Sequence, residues 1–359
     1  MIPIARPQLG EEEERVVLEV MRSGALAQGQ RVQAFEQAFA GVVGARHAIA
    51  TSNGTTALYL ALVAHGIGPG DEVITSPLTF IATANAIAQT GARPVFADVD
   101  DSLNLNPLAV EALINGRTRG IMPVHLHGNP CDMEAFVALA EEHGLVLIQD
   151  ACQAVGATIG GKALGVFGTA AYSFYATKNI TTGEGGMVVT NDRAVAQACA
   201  SLRHQAYSSE PYVHDAVGYN YRLTEIQAAI GLVQLERLEA ITERRRCNAG
   251  YYDEHIDSSG FTRPRVGCES RHVYHQYTLR VSSGGARRRD SVRTALETAG
   301  IGTGVYYPVP VHRQPAYWRD VYSPCPTAEA AAAEIFSIPV HPAVADSDRA
   351  AIAEAVNAL

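Results

Sequence analysis

A primary amine in this chain can come from only two lysines, Lys162 and Lys178, set against 26 arginines. Lys162 sits in IGGKALG, where the flanking glycines read as a hairpin turn and leave the ammonium hydrated. Lys178 follows the aromatic and small-residue run Ala171 to Tyr175, which reads as a buried strand. It precedes Gly183, Gly185 and Gly186, which admit close approach of backbone or ligand. Desolvation disfavours the charged form of an amine, and a neutral amine attacks a carbonyl to form a Schiff base. A lysine at a strand end can equally snorkel to water, so its neighbours decide the matter.

Three other signals bear on that decision. The loop Ser52-Asn53-Gly54-Thr55-Thr56 stands where a helix begins, and free amides with hydroxyls there suit an anion such as phosphate. A plain N-cap accounts for the same residues. Asp150 closes the apolar strand Leu145 to Gln149, so its carboxylate emerges at a carboxyl edge, where α/β folds place their ligands. Phe80 reads as the end of another strand, a position ordinarily assigned to the core. Together these residues meet the needs of pyridoxal phosphate (PLP). Its phosphate needs amides and hydroxyls, its aldehyde an amine, its pyridine nitrogen a carboxylate and its ring face an aromatic partner. His125 and His127, two apart on one strand face, have metal-ligand spacing, but only Asp132 stands near as a third donor.

The elements needed to position these groups follow from periodicity. From Asp71 onwards DEVITS, PVFADVD, IMPVHLHG and LVLIQD alternate with helical patterns, which predicts an α/β fold with a mostly parallel sheet covered by helices on both faces. Residues 1–247 form the expected large domain, including the N-terminal segment, and residues 248–359 a smaller C-terminal α+β domain. Glu11 to Met21 reads as a helix whose acidic quartet is a solvated cap, and Leu223 to Arg246 as one long amphipathic helix with Arg244 to Arg246 on a solvated face. HVYHQYTLRV alternates like a strand with one exposed face. A formal charge of -9 and a pI near 5.7 argue against nucleic-acid or anionic-membrane partners. The amino terminus shows no apolar stretch of signal-peptide length, and six scattered cysteines without a C-x-x-C pair suit a reducing compartment, so a cytoplasmic location is expected.

At these motifs the chain resembles the sugar aminotransferase branch of the fold-type I PLP enzymes, the DegT/StrS family. The likeness runs in order from IPIARPQLGEEE through SNGTTAL, PVFADVD, PVHLHGNPCDM, QDACQAVGA, SFYATKNITTGEGGMV and GYNYRLTEIQAAIG to YYPVPVHRQPAY. The resemblance implies Lys178 as the Schiff-base lysine, Asp150 as partner of the pyridine nitrogen, Gln153 near the phenolic oxygen and Phe80 stacked on the ring. It implies Gly54, Thr55 and Ser173 as phosphate contacts within one chain, and Asn220 as a contact to the neighbouring subunit's phosphate, hence a homodimer with shared active sites. The implied reaction is a two-stage transamination, with L-glutamate as donor and a nucleotide-linked keto-deoxy sugar as acceptor. Lysine at position 178, where dehydratase relatives carry histidine, favours transamination.

Two departures concern the acceptor. His127 stands where relatives commonly show tyrosine, and Arg203 to Ala206 differs from the usual arginine-histidine-glycine pattern. The position aminated, the nucleotide and a keto-cyclitol acceptor therefore stay open. A non-catalytic PLP-binding regulatory protein is disfavoured by the presence of Lys178, Asp150 and Gln153 together. A nicotinamide dehydrogenase read from GEGG lacks the G-x-G-x-x-G spacing and its place in a first βαβ unit.

Overall fold

In the computed structural model, which describes residues 1–208, 210, 212–317 and 322–359, helices α1 (Glu11–Ser23) and α2 (Gln30–Val43) lead into strand β1 (His47–Thr51). Regular alternation follows: α3 (Gly54–Ala64), β2 (Glu72–Thr75), α4 (Ala82–Gln89), β3 (Arg93–Phe96), α5 (Pro107–Glu111), β4 (Thr118–Met122), α6 (Met133–His143) and β5 (Val146–Asp150). A small hairpin of β6 (Thr158–Ile159) and β7 (Lys162–Ala163) carries Lys162 into solvent, as its glycines predict. Then come β8 (Thr169–Ser173), β9 (Gly186–Thr190) and α7 (Arg193–Arg203).

Seven of these strands form the central sheet in the order β1-β9-β8-β5-β4-β2-β3. The pairs β2/β3, β2/β4, β4/β5 and β5/β8 are parallel, and only β9 runs against its neighbours. Successive strand residues point to opposite faces, so an apolar run feeds two cores at once. Ile121, Tyr172 and Val189 pack with Phe35, Phe39 and Phe136 on one face, whereas Met122, Ala171 and Val188 pack with Leu58, Leu62 and Ile87 on the other. The predicted α/β architecture is this sheet between two helical layers.

The structure departs from the sequence reading at the Leu223 to Arg246 helix and at the residues it contacts. The expected single helix over Leu223 to Arg246 is two, α8 (Glu225–Glu236) and α9 (Leu238–His255). They break at Arg237, whose amide closes a tight turn on Gln234 O at 3.2 Å while its guanidinium reaches Glu12 and Glu13 of α1. Glu13 is accordingly buried, not a solvated cap, and also accepts from Gln234 Nε2 at 2.7 Å. Arg245 leaves the expected solvated face for the interior, where it donates to the carbonyls of Tyr274 at 3.0 Å and His275 at 3.3 Å.

The remaining elements are β10 (Phe261–Thr262), β11 (Ser270–Arg271), β12 (Tyr277–Val281), α10 (Gly285–Thr298), α11 (Pro326–Glu334), β13 (Ile335–Ile338) and α12 (Asp346–Asn357). Strand β12 is the middle of the sheet β10-β12-β13, so it is covered on both faces instead of one. Its residues share a core with Tyr252 of α9, Val292 of α10 and Ile352 of α12. No helix among the described residues is long and apolar enough to cross a membrane.

Candidate active site

Asp150 is the last residue of β5, and the turn holding Lys178 leaves the carboxyl end of β8, the strand paired parallel to it. Adjacent parallel strands thus deliver an acid and an amine to one edge of the sheet, the edge at which such folds bind ligands. The Lys178 amide bonds back to Tyr175 O at 2.9 Å, which fixes the turn. Loss of hydration pushes the pKa of the Lys178 amine down, against the pull of neighbouring Cys152 and Asp150. The amine is therefore biased towards the nucleophilic, neutral form.

The Asp150 carboxylate is buried and held by two donors. Thr83 Oγ1 donates to its Oδ2 at 2.7 Å and the Cys152 amide to its Oδ1 at 3.1 Å. Thr83 Oγ1 also lies 3.2 Å from Phe80 O; since that carbonyl and the nearer carboxylate only accept, Thr79, 2.8 Å from Thr83 Oγ1, must donate to Thr83. Neither threonine was singled out by sequence, although their spacing of four on the entry to α4 places them on one face.

Phe80 is not at a strand end. Strand β2 stops at Thr75 ahead of Ser76-Pro77, since Pro77 has no amide to donate to a ladder, and Phe80 lies in the loop before α4. Nor is it core: it is 55% exposed, with its ring 5.9 Å from that of Tyr307. Gln153 is buried next to it in the same wall, and its Nε2 donates to Tyr307 Oη at 3.3 Å. Tyr307 comes from the loop after α10, and no local pattern marks it for this place.

At the start of α3, Asn53 is the cap: its Oδ1 accepts the Thr56 amide at 2.9 Å, while Thr56 Oγ1 accepts the Asn53 amide at 3.2 Å. The amides of Gly54 and Thr55 then have no acceptor among the described residues. A Cβ at Gly54 would lie 2.8 Å from Ser173 Cβ and 3.0 Å from Cys152 Sγ, so only glycine lets this helix start sit against β8. The structure thus brings Gly54 and its neighbour Thr55 up against Ser173. Asn220 lies on an exposed segment tethered by Tyr221 O, which accepts the Ser52 amide at 2.8 Å; its own side chain has no hydrogen-bond partner among the described residues.

His125 and His127 follow β4 in a loop and so share no strand face. His125 Nδ1 accepts the Cys131 amide at 3.0 Å and its Nε2 faces Gln149 Oε1 at 3.3 Å, whereas His127 Nε2 donates to Tyr306 O at 2.8 Å. Burial lowers the pKa of both imidazoles to about 4, so both are neutral. Arg203 is buried in an ion pair with Glu36 and donates to Ala50 O at 2.8 Å. Gln205, where the pattern of relatives has glycine, adopts a left-handed φ of 62°, the backbone state glycine accepts without strain.

The donor set fits PLP: unpaired helix-start amides beside Ser173, a carboxylate held by two donors, an amine whose pKa burial lowers, an exposed aromatic ring, and Gly54 where a side chain would fill the space.

The chain matches the DegT/DnrJ/EryC1/StrS aminotransferase family over residues 7–357. It is 43% identical to a pleiotropic regulatory protein of Geobacillus stearothermophilus, covering 97% of this chain and 94% of that protein. It is also 43% identical to the GDP-perosamine synthase of Caulobacter vibrioides, over 97% of this chain and 95% of the other. Among solved structures, DesV of S. venezuelae in complex with a ketimine intermediate superposes with a TM-score of 0.93 at 38% identity, over 97% of this chain and 94% of DesV.

Proposed function

The chain belongs to the DegT/DnrJ/EryC1/StrS aminotransferase family, and from that premise we propose that it is a PLP-dependent transaminase moving the amino group of L-glutamate to a nucleotide-linked keto-deoxy sugar. The observation that carries this reading is the partly dehydrated amine of Lys178 beside an Asp150 carboxylate held by Thr83 and the Cys152 amide. A relative named GDP-perosamine synthase supports the sugar acceptor.

When bound, PLP supplies the electron sink for breaking the bond to the migrating hydrogen. The Gly54 and Thr55 amides, with Ser173, would hold its phosphate, and Asp150 would accept from its pyridine nitrogen. Phe80 would cover the ring face, and the Gln153 amide would serve the phenolic oxygen. Lys178 Nζ, free of its proton, takes the hydrogen from the donor's α-carbon and later returns one to the acceptor's former carbonyl carbon. Tyr307 and Phe80 close one wall against water.

The exposed Asn220 with its unused amide supports a homodimer in which each chain completes its partner's phosphate site. Such an enzyme would work in the cytoplasm. A second reading, a regulatory protein without turnover, is favoured by the name of one relative; the full set of Lys178, Asp150 and Gln153 weighs against it.

The test is the visible spectrum of PLP-loaded protein with and without L-glutamate, for wild type and Lys178→Ala, followed by mass spectrometry of keto-sugar nucleotides incubated with both. Loss of the lysine-linked band in wild type alone, together with an aminated sugar nucleotide, is expected. A wild-type band that glutamate leaves unchanged would support the regulatory reading.

A further inference from the structure

His127 also borders a cavity of about 270 Å3 whose walls include neither Lys178 nor Asp150. It lies between the Leu126-His127 turn, strand β12 and the segment around Pro264. A water occupies about 30 Å3, so this pocket, open on one side, has room for roughly nine waters. Pockets for drug-sized ligands begin near 300 Å3, which sets the occupant at a single small ring.

Two buried side chains line it, each with polar atoms that no protein group pairs among the described residues. His272 is 7% exposed, and its Nδ1 accepts the Tyr274 amide at 2.8 Å. The proton of the neutral ring therefore sits on Nε2, which has no acceptor among the described residues. Gln276 is 6% exposed, and its side-chain amide, with two donors and an acceptor, has no hydrogen bond among the described residues. These side chains are more than nine-tenths buried, yet their unpaired polar atoms are left to the cavity, where they can serve an occupant that hydrogen-bonds.

Charge selects the class of occupant. At the rim Asp253 accepts from Tyr277 Oη at 2.8 Å and from Arg263 at 3.0 Å, so its charge is already matched. Burial keeps His127 and His272 neutral, with pKa values lowered to about 4 and about 3. Flat apolar surface comes from Tyr274, stacked on His272 at 3.9 Å, and from Leu126 and Val266. We propose that this cavity is a second ligand site, taking an uncharged, hydroxyl-rich molecule of single-sugar size. The proposal does not rest on the transamination reading.

Calorimetric titration of the PLP-loaded enzyme with glucose tests it, with sodium phosphate as the charged comparison. Glucose is expected to bind, and Gln276→Leu and His272→Phe, each checked for an unchanged melting temperature, to weaken it at least tenfold; Phe80→Ala, at the main cleft, is expected to leave it intact. No heat with glucose, equal binding in both cavity variants, loss of binding in Phe80→Ala, or phosphate binding that depends on Gln276 would each overturn the proposal.

Discussion

Thr83 Oγ1 donates to Asp150 Oδ2 at 2.7 Å and, together with the Cys152 amide, fixes which way that carboxylate faces. Both oxygens are thus tied, each keeping a lone pair for a further donor. Thr83 is therefore a positioning residue. Thr83→Val should lower kcat roughly 10- to 100-fold, the worth of a hydrogen bond to a charged group, with little change in KM. The pH dependence of the bound cofactor's visible band should shift too, and Thr83→Ser should restore both. A band that titrates as in wild type would reduce Thr83 to a packing role.

Gly54 gives a steric prediction with an internal control. Gly54→Ala places a methyl 2.8 Å from Ser173 Cβ, which costs about 1 to 3 kcal/mol as overpacking. PLP affinity, read by fluorescence titration, should weaken at least tenfold as the helix start is pushed off β8. Gly41→Ala, in α2 with no atom within 4 Å of the new methyl, should be neutral or slightly stabilising. Equal PLP affinity in Gly54→Ala and wild type would show that the phosphate lies elsewhere.

Four of the buried histidines contribute most clearly to the acid limit. Burial lowers His125 and His127 to about 4, His272 to about 3, and His275 well below its usual value. The unfolded chain takes up these protons near pH 6.5 while the folded chain does not, so stability is full above 6.5 and falls as pH drops towards about 4. By pH 5.5 the loss should be on the order of 1 kcal/mol per histidine. Urea unfolding at pH 7.5 and 5.5 measures it, and His275→Asn should remove one histidine's share. An identical fall in that variant would mean that His275 is protonated in the folded chain.

Why some of this was legible in the sequence and some was not comes down to range. Lys178, Asp150 and the Ser52–Thr56 turn lie at element ends that local periodicity marks, and the structure brings them to one edge. The helix break at Arg237 depends on Glu12 and Glu13, more than two hundred residues earlier, and the burial of Arg245 on carbonyls of Tyr274 and His275. Side-chain periodicity within one segment carries no such information. The local pattern around Phe80 is that of a strand end facing the core, and only the resemblance singles it out for the ring; its loop turns it outward beside Tyr307, a residue from the other end of the chain.

Asn220 leads to the last prediction. On one chain its amide is exposed and unbonded, beside Val217 at 83% and Tyr212 at 85% exposure, an apolar display more suited to a covered face than to water. If each Asn220 completes the partner's site, Lys178→Ala and Asn220→Ala damage different halves of it. Each variant alone is then weak in both of its sites, but a mixed dimer carries one site with both defects and one with neither. Mixing the two after mild dissociation should raise activity well above either parent, with an absorbance change on L-glutamate that neither shows alone. Activity that stays at the average of the parents would place Asn220 in its own chain's site, and light scattering at the mass of a single chain would remove the shared site altogether.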